Sequence, residues 1–371
     1  MARRSSGEGS VYQRRDGRWV GALTVNGRRR VVYGATRKEA AEKLARIKQQ
    51  LRSGALVDAG KRTLADLASA WLGAVAPSLK PRTVHDYGKE IELHIKPALG
   101  NIKLSRLEPA HIQNFLASIQ KRGHMRLAQR LFCRLHTMLK AAVLWGWLGE
   151  NPCDRVLRPT YRAERKELWT PEELSAFLTS THDHWLHPLW VFLIATGCRL
   201  GEALALRWED VDLQARAVGI GKTLHRIGGK WVVTEPKTKS AVRVITLPPE
   251  AVAALRRQRA QQAEWRLRAG PDWTDTGLVF TGKHGQPLGQ STVNHALQRE
   301  CRRLGVAVVS AHSLRHLHAS LLLWEGLPLT SVSKRLGHAN PNITATIYAH
   351  AISTDDMAAQ AIGRVLSRVG R

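Results

Sequence analysis

One apolar stripe near the C-terminus constrains this chain more than any other feature. Leu314, Leu317 and Leu321 recur at helical spacing. At about 100° per residue they share one face, while His312 and Arg315 share the opposite side. A helix here buries the leucines and turns a histidine and an arginine outward together. Gly326 and Gly337 read as helix stops, with Leu336-Gly337-His338 following the second helix. Asn340-Pro341 reads as an N-cap with proline in the first helical position, opening a helix that carries Tyr348.

A second stretch, Thr196-Gly197-Cys198-Arg199-Leu200-Gly201-Glu202-Ala203-Leu204, follows the apolar run from Trp190 to Ala195. Gly197 ends one helix and leaves Arg199 at the start of the next. Helix N-termini offer free N–H groups and a positive dipole end, so a guanidinium there adds to a site already suited to an anion. Arg199 is therefore a candidate phosphate ligand. Taken singly these residues have plainer readings: Arg199 as an ion-pair partner of Glu202, Tyr348 as a core tyrosine, a histidine as a packed or capping side chain. His316 and His318 keep the structural reading.

The partner class follows from charge. The 371 residues carry 57 Lys and Arg against 30 Asp and Glu, a formal charge of +27. A surplus spread over a long chain suits a phosphate backbone, with a membrane surface as the weaker alternative. No apolar run approaches the roughly 20 residues of a spanning helix, and Met1-Ala2-Arg3-Arg4-Ser5 has no apolar signal core. A soluble, cytoplasmic, nucleoid-associated protein is expected. Cys133, Cys153, Cys198 and Cys301 form no Cys-x-x-Cys pair and are expected as reduced, packed thiols. Only His312 and His316 have the spacing to begin a metal site, and they lack a third ligand, so neither metal nor other cofactor is expected.

Along the chain, Ser10 to Arg14, Trp19 to Val25 and Arg28 to Tyr33 alternate as strands, with Asp16-Gly17 and Asn26-Gly27 as turns. That predicts a three-stranded antiparallel sheet. Thr36-Arg37-Lys38-Glu39 is a capping box opening a helix to about Arg52. Residues 1–53 hold 14 Lys and Arg against 4 Asp and Glu. Residues 53–62 lack periodicity and read as a linker. From Thr63 the pattern turns helical through Leu64, Leu67, Ala68, Trp71 and Leu72, with further runs at Thr83 to Leu93, Pro109 to Gln120 and Leu127 to Leu144. Pro97-Ala98-Leu99-Gly100 is expected to break them, and Asn151-Pro152 to close the unit. A basic extended stretch around Pro159 leads to Thr170-Pro171-Glu172-Glu173, a capping box with proline in the first turn. Beyond it, Lys222 to Leu224, Trp231 to Glu235 and Ala241 to Leu247 read as strands, with Pro236 to Ser240 as the turn joining the last two. Lys237 and Lys239 sit in that turn, where a solvated lysine is the plain reading. Ser353 to Asp356 reads as the cap of a final helix with a stripe of Met357, Ile362, Val365 and Leu366.

Taken together, the spaced motifs resemble the tyrosine recombinase (phage integrase) family, whose pattern is Thr-Gly-x-Arg-x-x-Glu, then His-x-x-Arg, then Leu-Gly-His, then tyrosine. Arg199, His312, Arg315, His338 and Tyr348 match position by position, and Glu202 falls on the acidic position. Cys198 before the first arginine and Leu317 in place of a frequent threonine are the departures. The resemblance implies a multidomain protein, mainly α with small β elements. Residues 1–56 would be a sheet plus helix similar to the arm-binding domain of lambda-type integrases, 62–155 a helical core-binding domain, and 168–371 an α+β catalytic domain.

The resemblance also implies an activity: a site-specific DNA recombinase that integrates or excises a mobile element such as a prophage. Tyr348 would be the nucleophile, forming a 3′-phosphotyrosyl bond, and His312 the base that takes its proton. Arg199, Arg315 and His338 would meet the phosphate oxygens with Glu202 in support. The family's hairpin-turn lysine falls on Lys237, with Lys239 as runner-up. Implied partners are double-stranded DNA at core and arm sites, three further copies in a homotetramer, and accessory DNA-bending or directionality proteins. The final apolar stripe would dock on a neighbour. A type IB topoisomerase shares the chemistry, but the basic N-terminal sheet favours integration. A DNA-binding regulator without catalysis is disfavoured by Tyr348 together with both arginines.

Overall fold

The computed structural model describes residues 9–25, 28–52, 62–161, 168–235 and 242–337. The chain divides into two compact units, residues 1–163 and 164–371.

The first unit opens with β1 (Ser10–Gln13), β2 (Trp19–Val25) and β3 (Arg28–Gly34), antiparallel in that order. Helix α1 (Arg37–Arg52) lies close on one face. Glycine makes that approach possible, since a Cβ at Gly34 would lie 2.6 Å from the Ala40 amide nitrogen. Thr36 caps α1 by accepting from the Glu39 N–H at 3.2 Å, and the Glu39 carboxylate reaches back to the Ala35 N–H at 2.8 Å.

The helical part follows the periodic leucines. Its elements are α2 (Leu64–Val75), α3 (Pro81–Glu90), α4 (Lys96–Leu99), α5 (Pro109–Lys121) and α6 (Met125–Leu144). Thr63 and Asp66 form a reciprocal capping box at the start of α2. Leu64, Leu67 and Trp71 share a core with Ile112 and Leu116 of α5 and Leu131, Leu135 and Met138 of α6. Buried Glu90 is held by Arg130 and, at 3.0 Å, by Arg134, whose guanidinium also lies over the Tyr87 ring.

One expectation is refined in this unit and one changes. The helical run does break within Pro97-Ala98-Leu99-Gly100, but not at proline itself: Ile91–Ile95 form a π turn in which the Lys96 N–H donates five residues back to the Ile91 carbonyl. The ladder is shifted by one residue just before the side chain that lacks an amide, so Pro97 enters in the first turn of α4, and the run ends at Leu99. Cys133 is exposed on the outward side of α6, whereas Cys153, Cys198 and Cys301 are buried.

The second unit begins at α7 (Pro171–Ser180), where Thr170 and Glu173 form the expected capping box. Helix α8 (His187–Thr196) is apolar on nearly every side and packs against two later helices, α10 (Pro249–Ala269) and α12 (Ala311–Trp324). Between them come α9 (Leu200–Ala205), β4 (Val211–Asp212), β5 (Ala217–Ile220), β6 (Thr223–Ile227), β7 (Lys230–Thr234), β8 (Arg243–Thr246) and α11 (Gln290–Leu304); α13 (Leu329–Leu336) follows α12. Trp190, Phe192, Leu193, Val218, Ile245, Phe280, Leu297, Leu314 and Leu317 belong to one core.

The strands pair differently from the sequence reading. Among the described residues β7 pairs with β6, and β8 pairs with β5 in the order β4-β5-β8. The turn between partners is Gly228-Gly229, both at positive φ, with Ile227 opposite Lys230. Two such glycines satisfy a tight two-residue hairpin locally. The stretch around Lys237 therefore joins two separate sheets.

Among the described residues no helix is long and apolar enough to cross a membrane, and no group of three His, Cys, Asp or Glu side chains is placed to hold a metal ion.

Candidate active site

Four helix ends and one strand converge on the motif residues. Gly197 closes α8 at φ 62, as its sequence position predicts, and places Arg199 at the N-cap of α9. Arginine is an unusual cap, and Glu202 does the capping instead. Its carboxylate accepts the Arg199 backbone N–H at 3.0 Å and the Arg199 guanidinium at 2.8 Å. The Arg199 side chain stays 43% exposed while Glu202 is buried.

Arg243, from β8, completes this arrangement. It donates to the second Glu202 oxygen at 2.9 Å and through Nε to the Arg335 carbonyl at 2.8 Å. Burial works against the Glu202 charge, but Arg243, the Arg199 backbone amide and the Arg199 guanidinium outweigh it and hold the carboxyl below its ordinary range.

Arg315 departs from the outward orientation that helical periodicity predicts. It is 2% exposed, and its guanidinium donates to the carbonyls of Gly197 and Leu336, each at 2.8 Å. Both acceptors lie at helix C-termini, where carbonyls lack intrahelical partners and a cation is favoured. Those two bonds are what make a buried arginine tolerable. Burial, with Arg199 and Arg243 nearby, lowers its pKa to about 10, so it remains charged at neutral pH. A guanidinium carries five N–H donors, so two carbonyls do not exhaust it.

His312 stands exposed in the first turn of α12, its ring edge-on to His316 with centroids 4.7 Å apart. Ser310 caps that turn, and Asn294 of α11 accepts the Ala311 N–H. His318, read as structural, is buried with Nδ1 2.7 Å from the Ile194 carbonyl. A carbonyl only accepts, so Nδ1 carries the proton and Nε2 accepts from Arg335 at 3.3 Å. Burial first, and then Arg335, lower the His318 pKa to about 4. Arg335 also donates to Ala195 and Thr246 carbonyls.

Arg199, Glu202 and Arg315 thus come together, with His312 on the same helix as Arg315. Lys237, Lys239, His338 and Tyr348 lie outside the described residues, as do Asn340-Pro341 and the stripe from Met357 to Leu366. Arg243 and Arg335 were not singled out from sequence. The available signal was phase: Arg243 alternates with buried Ile245, whereas Val244 between them is 76% exposed. Valines on the opposite phase made that signal point the wrong way.

This set is chemically suited to an anion. One guanidinium is fixed by carbonyls and another is half-exposed and braced by a carboxylate, the pairing expected where charge must be met without reorganisation.

Comparison with known proteins agrees in family and fold. Residues 169–354 match the phage integrase family, and residues 63–120 match the phage integrase N-terminal SAM-like domain. A tyrosine recombinase XerC-like protein of Caldanaerobacter subterraneus subsp. tengcongensis is 31% identical over 345 residues, 87% of this chain and 88% of that protein. The ICEBs1 integrase of Bacillus subtilis is 25% identical over 319 residues, covering 85% and 86%. In fold, the Tn1549 transposon integrase in complex with a circular intermediate DNA superposes with a TM-score of 0.68 at 20% identity, covering 82% of this chain and all of that one. A lambda integrase tetramer bound to a Holliday junction gives 0.58 at 17% identity, covering 93% and 96%. With one catalytic-domain match from Trp169 onward and a relative aligned along most of the length, the chain belongs to the phage integrase family.

Proposed function

We propose that this protein is a site-specific DNA recombinase that cuts and rejoins DNA through a 3′-phosphotyrosyl intermediate, integrating or excising a mobile element. The observation that carries the reading is the meeting of two guanidiniums, buried Arg315 fixed by the Gly197 and Leu336 carbonyls and half-exposed Arg199 braced by Glu202. A phosphodiester under attack gathers charge on its non-bridging oxygens, and preorganised cations are worth most there. Arg199 and Arg315 supply forks of donors, and His338 adds another. Tyr348 attacks phosphorus after losing its proton, from a free pKa of roughly 10, to His312. Lys237 gives a proton to the departing 5′-oxygen. One phosphodiester replaces another, so the step is near balance, and a 5′-hydroxyl from a partner strand reverses it. Strands are exchanged rather than cut.

In this reading residues 1–56 bind arm sites, 62–155 grip the core site, and 168–371 catalyse. The excess of basic residues suits double-stranded DNA in the cytoplasm. Four copies act together on two duplexes; a lambda integrase tetramer bound to a Holliday junction supports this by likeness of fold. Accessory DNA-bending or directionality proteins complete the assembly. The basic sheet at the N-terminus favours integration over relaxation of a single duplex.

The test is covalent trapping on nicked core-site DNA. Wild type should give a protein–DNA adduct that survives denaturation, and Tyr348→Phe should bind the same DNA and give none. An adduct in the variant, or none in wild type, overturns the reading.

A further inference from the structure

Arg243 lies in neither arginine motif, yet its side chain is as deeply placed as that of Glu202. Its side chain is 7% exposed and Glu202, its partner, 6%. Removing two charges from water costs several kcal/mol per ion unless geometry and extra hydrogen bonds offset it. Arg243 has that geometry: NH2 meets Glu202 at 2.9 Å and Nε meets the Arg335 carbonyl at 2.8 Å. Arg335 answers in the opposite direction, from α13 to the Thr246 carbonyl of β8. Strand β8 and helix α13 are therefore clasped by two crossing arginine contacts.

The ends of this clasp lie where the chemistry is. Arg243 follows residues 236–241, which include Lys237, after a single residue. Arg335 precedes His338 by three. Glu202, gripped by the same guanidinium, also holds Arg199. A salt bridge kept only for stability would gain nothing from holding both Glu202 and the end of α13; a well-packed apolar pair stabilises as well or better.

We infer that Arg243 is a positioning residue that orients Arg199 through Glu202 and fixes the C-terminal end of α13 against β8. It touches no substrate. Its effect is felt at the scissile phosphate, because the Glu202 carboxylate is shared, and a carboxylate released from Arg243 rotates and takes the Arg199 fork with it. Small displacements of a charge-stabilising group carry large rate penalties. The inference rests on the recombinase reading.

The experiment compares two substrates in single-turnover adduct formation at saturating protein. One core site carries an ordinary scissile phosphate, and the other a methylphosphonate in which a methyl replaces a non-bridging oxygen and removes the charge. Arg243→Met keeps side-chain volume and loses the guanidinium. On the phosphodiester it should be slower than wild type by about 100-fold, with core-site binding unchanged. On the neutral methylphosphonate that gap should close, because there is no charge for a misaligned Arg199 to miss. Equal losses on both substrates would mean a damaged fold, and equal rates would mean no role; either result overturns the inference. If Arg243→Met does not fold, Arg243→Lys, which keeps a charge opposite Glu202 but cannot span both acceptors, is measured on the same pair and should show the same closing gap. Absence of a wild-type adduct on the phosphodiester would instead overturn the recombinase reading.

Discussion

Arg315 and Gly197 stand 118 positions apart in the chain, and a guanidinium nitrogen of the first donates to the carbonyl of the second at 2.8 Å. Gly197 is confined on its other side, because a Cβ there would lie 2.4 Å from the ring of buried His318. Gly197→Ala should therefore combine left-handed backbone strain of about 1–2 kcal/mol with a clash that displaces either His318 or the carbonyl Arg315 needs. Gly305 has a similar φ of 70 and nothing near its Cβ position, so Gly305→Ala should show the strain alone. Urea unfolding of the two variants checks the difference, and adduct formation should fall only in Gly197→Ala.

Glu202→Gln should cost about 3 kcal/mol of stability, since it leaves Arg243 buried opposite a neutral group. The half-exposed Arg199 contact contributes little to that figure. Denaturant midpoints at neutral pH measure it, and a change under 1 kcal/mol would contradict the buried pair.

Stability should fall on mild acidification. His187 and His318 have pKa values lowered by burial to about 4, against an unfolded value near 6.5. The unfolded chain therefore binds more protons between those limits, and stability present above about 6.5 is lost as pH drops toward 4. Carboxylates held low, such as Glu202 and Asp183, act only at more acidic pH, so the slope between about 6.5 and 5 belongs to histidine. Burial also lowers His184, so His318→Gln should remove about a third to a half of that slope in urea titrations. An unchanged slope would remove His318 from the account.

Lys237 and Lys239 are separable by leaving-group chemistry. An alkoxide needs a proton as it departs, while a thiolate, from a thiol of pKa roughly 8.5, does not. A 5′-bridging sulfur should restore cleavage by Lys237→Ala and leave Arg199→Ala defective. Rescue of Lys239→Ala alone would move the acid two residues along.

Deleting residues 1–56 should abolish binding to distal sites and spare core-site cleavage, with the lost binding steeply salt-dependent. Gel shifts on distal-site DNA over a range of salt measure this, and an undiminished shift would refute the arm-binding assignment.

Local chemistry was legible in the sequence. The strands between Ser10 and Gly34 fall within one residue of their expected ends, and the caps at Thr36 and Thr170 are where short-range patterns place them. What depended on distant partners was not. Periodicity turned Arg315 outward because it judges a face by polarity, and the carbonyls that make its burial tolerable lie 21 and 118 positions away. Arg243 was invisible for the same reason, its carboxylate being 41 positions distant. The break within Pro97 to Gly100 was legible, but not its delay to Leu99, because a shifted ladder is a property of the preceding turn and not of proline itself.

Among the described residues β7 and β8 pair with different strands, so their registers are set independently of each other. In a hairpin, gaining or losing one residue turns every side chain beyond it to the other face. Here each flanking strand takes its register from a different neighbour, Thr223 to Ile227 on one side and Ala217 to Ile220 on the other. A change in length between the two strands therefore leaves both registers as they are.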